Sequence, residues 1–184
     1  MAEELELKAV VPDADGLRAR LHGAGGASRF RGRMSDRRYD RAGELTGRDE
    51  VLRVRRYVPA DGRTETILGW KGPTQRSAEG YKRREEYEIA VAADPTPLLA
   101  ALGYAVVHAI DREVEVYEVA GAAVRLERYP DMDTLIEVEG SPDAIEGAIR
   151  ASGLERASFT AESLTEFVRR FEARTGRPAV LARP

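Results

Sequence analysis

Apolar and polar residues alternate with period two along eight stretches of the chain: 3–11, 37–41, 50–58, 64–71, 80–91, 105–119, 122–129 and 134–140. Such alternation predicts β-strands with two unlike faces. Helical spacing is rarer. Asp13 to Leu21, stopped by Gly23-Ala24-Gly25-Gly26, predicts one helix, Asp94 to Gly103 a second, and Ser141-Pro142-Asp143 to Gly153 a third, with serine at the cap and proline in the first turn. A fourth covers about residues 160–175, where Leu164, Phe167, Val168 and Phe171 share one face, a stripe better read as packing than as partner docking. Many strands with few helices predict an α+β chain, mainly β: an eight-stranded antiparallel sheet closed into a barrel, with helices packed outside. Residues 1–155 form the barrel domain, and 156–184 add a C-terminal helix and tail that pack on it or extend it. The arginine-rich run from Arg29 to Arg38 reads as a solvated loop, and 177–184 as a frayed tail.

The polar rows of these strands are unusual in being charged. Leu5 and Leu7 alternate with Glu4, Glu6 and Lys8, Leu52 and Val54 with Arg53 and Arg55, Val124 and Leu126 with Arg125 and Glu127, and Ile136 and Val138 with Glu137 and Glu139. On any single strand the charged row reads as a face turned to water. Two features favour the opposite orientation. Acids and bases are segregated by strand, and the predicted helices need an apolar surface to cover, which the leucine and valine rows supply if they face outward. The lumen is then lined with charge, and such a lumen needs a compensating ligand.

Composition narrows what that ligand is. The chain has 184 residues with 29 basic and 32 acidic side chains, so its net charge of −3 argues against a general nucleic-acid binder. Any attraction for anions is local. The sequence has no cysteine, no apolar run near the roughly 20 residues of a membrane span, and an acidic start unlike a signal peptide. These features lead to the expectation of a cytoplasmic protein. Glu4, Glu6, Glu86, Glu88, Glu127, Glu137 and Glu139 offer hard oxygen ligands for Mg²⁺ or Mn²⁺. Lys8, Arg53, Arg55, Lys71, Lys82, Arg84, Arg112 and Arg125 offer donors for phosphate oxygens. A metal-bound polyphosphate satisfies both sets, and the chemistry it supports is phosphoryl or nucleotidyl transfer.

Six motifs in order resemble those of the CYTH proteins, or triphosphate tunnel metalloenzymes: Glu4-Leu5-Glu6-Leu7-Lys8, Asp36-Arg37-Arg38-Tyr39-Asp40, Leu52-Arg53-Val54-Arg55, Leu68-Gly69-Trp70-Lys71-Gly72-Pro73, Arg84-Glu85-Glu86-Tyr87-Glu88 and Leu135-Ile136-Glu137-Val138-Glu139-Gly140. The likeness covers about residues 3–155. It implies a tunnel in which Glu4, Glu6, Glu127, Glu137 and Glu139, with Glu86 and Glu88 beside them, hold Mg²⁺ or Mn²⁺. Lys8, Arg53, Arg55, Lys71, Arg84, Arg112 and Arg125 contact the triphosphate, and Lys8, Glu4 and Glu6 serve the chemistry. For Lys8 an electrostatic role is favoured over that of a base, since neighbouring carboxylates raise an ammonium's pKa. Three positions depart from the family's pattern: Glu127 replaces a frequent aspartate, Arg38 a frequent aromatic, and Ile110 a frequent base, where His108 on the same face reads as a partly buried, non-catalytic histidine in preference to a substitute base. The expected activity is hydrolysis of inorganic triphosphate, ATP or thiamine triphosphate. Class IV adenylyl cyclase is the first alternative and a non-catalytic triphosphate- or nucleotide-binding module the second. Dimers are common for this type of domain, so a homodimer is one expected partner state, and the balanced charge and lack of an apolar span argue against nucleic acid and membrane as partners.

Overall fold

The first strand changes partners halfway along, and this closes the sheet. In the computed structural model, which describes residues 2–60, 62–76 and 81–183 with side chains from residue 5 onward, β1 is Ala2–Val10. It is followed by β2 (Ala27–Asp40), β3 (Val51–Pro59), β4 (Glu65–Lys71), the two-residue β5 (Gln75–Arg76), β6 (Lys82–Ala90), β7 (Ala105–Val119), β8 (Ala122–Arg128) and β9 (Leu135–Glu139). The first half of β1 pairs with β6, Glu6 facing Lys82, and its second half with β9, Lys8 facing Glu137. The order β1-β9-β8-β7-β2-β3-β4-β6 therefore returns to β1, giving a closed eight-stranded antiparallel barrel with β5 appended to β6. Beyond the end of the β6 pairing, Lys8 exchanges two 2.8 Å backbone hydrogen bonds with Thr160, so the chain after residue 158 completes the wall.

The strands place their leucines outside. Leu7, Ala9, Val124, Leu126, Ile136 and Val138 pack under α1 (Ala14–Gly23) and α3 (Pro142–Ser152), whose Leu17, Leu21, Ile145 and Ala148 have no exposed surface. Asp13 caps α1 by accepting from Gly16 N at 2.9 Å, and Ser141 caps α3. The small helix α2 (Thr96–Ala101) covers Tyr39 and Val54 through Leu99. Truncating Leu21 to alanine removes buried apolar volume at the contact that holds α1 to the sheet. The expected loss of stability is about 2–5 kcal/mol, read from the midpoint of urea unfolding.

Two expectations need correction. The run from Arg29 to Arg38 is part of β2, a 14-residue strand, where a solvated loop and a short strand at 37–41 were expected. Its alternation is hidden because the inward row mixes Phe30, Gly32, Met34, Asp36 and Arg38, which carry no common polarity. The tail is not frayed either. Val180 pairs with Asp131 through backbone hydrogen bonds of 2.8 and 3.1 Å, and Leu181 O accepts from Asp111 N at 2.7 Å. These bonds fill the edge of β7 beyond the end of β8, and satisfy backbone groups that would otherwise be orphaned. The last helix, α4 (Leu164–Thr175), begins later than the pattern predicts, because Thr160 is held at the strand edge. Its Phe167 and Phe171 pack on Ile110, Tyr129 and Leu135.

Candidate active site

The inward rows surround a cavity of about 420 Å³, whose wall carries ten basic and seven acidic side chains. Three ion-paired groups organise it. In the first, Lys8 Nζ lies 2.7 Å from Glu6 and 2.6 Å from Glu137, Lys82 also reaches Glu6, and Arg125 joins Glu137 at 2.8 Å to Glu139. In the second, Asp36 accepts from Arg55 Nε and Nη2 at 2.9 and 3.1 Å and from Arg112 at 2.8 Å. Glu127, 2% exposed, accepts from the Tyr129 hydroxyl at 2.6 Å on the far side of Arg112. In the third, Arg53 Nη2 donates to Glu86 and Glu88 at 2.6 Å each, and Lys71 lies 3.1 Å from Glu86.

The arginine Arg84 is held differently. It donates to the backbone carbonyls of Gly72, at 2.6 Å, and Asp49. Neutral acceptors fix its orientation while leaving its charge largely uncancelled, Asp49 Oδ1 being 3.7 Å away. Two further donors are left over in the buried wall: among the described residues Arg53 Nε and Arg112 Nε have no hydrogen-bond partner, the latter lying 3.2 Å from Glu127 without the alignment of a bond. Buried donors without acceptors are costly, so these two nitrogens are candidate contacts for a bound anion.

Burial and neighbours set the protonation states. Burial works against the charge of Lys8, but Glu137 and Glu6 outweigh it and its pKa is raised. Lys8 is therefore a fixed cation and a hydrogen-bond donor, not a base. Burial likewise opposes ionisation of Glu137 and Asp36, and is overcome by Lys8 and Arg125 in one case and by Arg55 and Arg112 in the other, so both pKa values are depressed. Lys82 moves the other way, pushed down by burial and by Lys8. The histidine His108 does not supply the base that Ile110 lacks. It is exposed at the rim, and burial of its ring together with Arg38 opposite lowers its pKa, which favours the neutral form.

Of the expected site residues Glu6, Lys8, Arg53, Arg55, Lys71, Arg84, Arg112, Arg125, Glu127 and Glu137 line the cavity, whereas Glu86, Glu88 and Glu139 do not line it and reach it through their ion pairs with Arg53 and Arg125. Glu4 is opposite Arg84 in the β1–β6 ladder, but its side chain lies outside the described residues. Sequence reasoning missed Asp36 and Arg38 as site residues, although both lie in a motif it singled out, and it missed the segment 161–166, which lines the cavity just before and within the first turn of α4. In donor chemistry Glu6, Glu137 and Glu139, linked through Lys8 and Arg125, fit a hard divalent cation. Among the described residues no three carboxylates already converge as a metal site, because cationic side chains stand between them.

A family profile described as the CYTH domain matches residues 2–162. The chain belongs to the CYTH family. Solved structures agree on the fold of this CYTH chain. A candidate adenylate cyclase of Vibrio parahaemolyticus superposes with a TM-score of 0.74 at 20% identity, covering 90% of this chain and 97% of that one. A protein of Pyrococcus horikoshii gives 0.70 at 25% identity, with 91% and 98% covered. A candidate adenylyl cyclase of Hippeastrum, described as having a dominant triphosphatase activity, gives 0.64 at 18% identity over the full length of both chains. No curated protein matches the sequence significantly. No helix among the described residues is long and apolar enough to cross a membrane.

Proposed function

We propose that this chain hydrolyses a triphosphate compound inside its barrel with the help of Mg²⁺ or Mn²⁺. The observation that carries the reading is the surplus of cations in the cavity wall, ten basic against seven acidic side chains. Arg38, Arg53, Arg84 and Arg112 crowd together so that the last three disfavour the charge of the first, beyond the effect of its burial, and Asp36 alone is prominent in opposing them. Together with the two orphaned guanidinium N–H groups, this arrangement calls for an anion with several oxygens.

Each part of the wall then has a task. Arg53, Arg55, Arg84, Arg112 and Arg125 bind and orient the phosphates, and Lys71 adds a point charge beside them. Glu6, Glu137 and Glu139, with Glu4 and Glu127 as neighbours, would hold the metal ion, which when bound neutralises charge on the phosphate oxygens. Lys8 stays protonated between Glu6 and Glu137 and stabilises negative charge as it develops. In the reaction a water oxygen bonds to the terminal phosphorus while the bridging P–O bond breaks. Phosphate and the remaining diphosphate leave, the latter being pyrophosphate where the substrate is inorganic triphosphate, and the surplus proton passes to solvent.

The second reading is adenylate cyclase, the designation carried by the Vibrio neighbour. There the 3′-hydroxyl of ATP attacks the α-phosphorus and pyrophosphate departs. The test is to incubate the protein with tripolyphosphate, ATP and thiamine triphosphate, with and without each metal, and to identify the products. Metal-dependent release of phosphate is expected. Cyclic AMP with pyrophosphate would replace the hydrolase by the cyclase, and tight binding without any product would replace both by a sensor.

A further inference from the structure

We infer that the outer wall of the barrel carries a second anion site, an arginine-lined cavity that takes a small compound with at least two phosphate groups. The site lies outside the lumen and does not depend on the triphosphatase reading.

The arginine-rich run of β2 is largely unused by the lumen. Of Arg29, Arg31, Arg33, Arg37 and Arg38, only Arg38 lines that cavity. Arg31, Arg33 and Arg37 alternate with the inward Asp36 and Arg38, and a strand turns successive side chains to opposite faces, so they stand outside the wall. Ladder pairing sets Arg33 between Val58 of β3 and Glu113 of β7, and Ser35 between Arg56 and Asp111. Arg128, the last residue of β8, faces Glu113 from the next strand. The tail completes the ring, because the bond from Asp111 N to Leu181 O brings Arg183 to the same place. These residues surround a cavity of about 670 Å³, and no helix contributes to its wall.

Its charge is one-sided. The wall holds six arginines, Arg33, Arg37, Arg56, Arg112, Arg128 and Arg183, against two acids, in a chain whose net charge is −3. Both acids are already engaged, Asp111 by Arg37 at 2.8 Å and Glu113 by Arg128. Arg56 is held from outside the cavity by Asp94 at 2.7 Å. Among the described residues the side chains of Arg33 and Arg183 have no ion pair and no hydrogen bond. Arg112 adds a charge behind them: its side chain is 8% exposed, its Nε has no hydrogen-bond partner among the described residues, and it lines this cavity and the lumen alike.

Like charges gathered around one hollow repel each other unless an anion neutralises them. All six cations are guanidinium forks, which match phosphate oxygens. A phosphate group carries a charge of about −1.5 to −2 near neutral pH, so two of them balance the excess of arginines over acids. The wall has one aromatic side chain, Tyr129, which is 5% exposed and bonded to Glu127, so a base finds no ring to stack on and recognition rests on the phosphates. Pyrophosphate is the simplest compound of this class.

The test is calorimetric titration of the full chain with pyrophosphate in the absence of divalent metal. It is run on wild type, on Arg33→Gln combined with Arg183→Gln, and on Arg53→Gln in the lumen, each checked for an unchanged melting profile. Both outer arginines are exposed and unpaired, so the fold does not rest on them. Wild type is expected to bind pyrophosphate at two sites per chain. The outer double variant should lose about 10- to 100-fold in affinity at one of them, the range for losing hydrogen bonds to a charged group, and Arg53→Gln should weaken only the other. A wild type whose binding the outer pair leaves unchanged, or an outer pair that weakens both sites alike, overturns the inference. Orthophosphate bound at the outer site as tightly as pyrophosphate overturns the requirement for two phosphates. No turnover is read, so the outcome is the same whether or not the lumen hydrolyses triphosphate, and failure of that reading appears only in the product analysis.

Discussion

Converting Glu6 and Glu137 together to glutamine is expected to lower metal-dependent triphosphate hydrolysis by about 10²–10³-fold or more, the scale on which removal of a preorganised electrostatic group is felt. Both side chains touch Lys8, at 2.7 and 2.6 Å, and both are hard oxygen donors on adjacent strands. Glutamine keeps their shape and removes their charge. Two consequences separate a metal role from a structural one. The dependence of rate on Mg²⁺ or Mn²⁺ concentration should move to higher concentration, because the remaining donors bind a cation more weakly. The pKa of Lys8 should also fall, since Glu137 and Glu6 are what hold it up. A variant that binds metal as tightly as wild type and loses activity all the same would remove these residues from the metal site.

The barrel was legible in the sequence because period two was joined to an inverted polarity. No single strand decides the orientation, but acids and bases segregated across several strands and helices in need of an apolar surface do, and Leu7 lies outside in one cluster with Leu17 and Leu21. What escaped is whatever depends on strand order. β2 lies between β7 and β3, and nothing in the linear order places Asp36 against both Arg55 and Arg112. An aspartate two residues before Arg38 looks like decoration until its neighbours across two ladders are known. The tail escaped for a related reason: Val180 and Leu181 are ordered by the uncovered edge of β7, which is a property of strand lengths elsewhere in the chain. Residues that act through local spacing were therefore found, and residues that act as hubs between distant strands were not.

Asp36 tests that distinction directly. It is 3% exposed and is the carboxylate partner of Arg55 and one of two beside Arg112, which are themselves buried. Replacing Asp36 with alanine strands the Arg55 guanidinium and leaves Arg112 with Glu127 as its remaining carboxylate in a wall already crowded with cations, and the expected loss of stability is about 3–5 kcal/mol. Because burial raises the carboxyl pKa and Arg55 and Arg112 more than reverse this, the folded value is depressed. The contribution of Asp36 is then fully present above its unfolded pKa of about 4 and lost as pH falls through the lower folded value. The gap between wild type and Asp36→Ala, measured by urea unfolding, should hold at neutral pH and narrow below about pH 4. Adding Arg55→Met and Arg112→Met to Asp36→Ala should restore most of the stability, since apolar groups of similar size replace buried ions at little net cost. The same triple variant should no longer bind tripolyphosphate. A stable barrel that has lost its ligand would show that the charges are retained for binding and that Asp36 offsets their cost to the fold; a triple variant as unstable as Asp36→Ala would make the ion cluster a structural element instead.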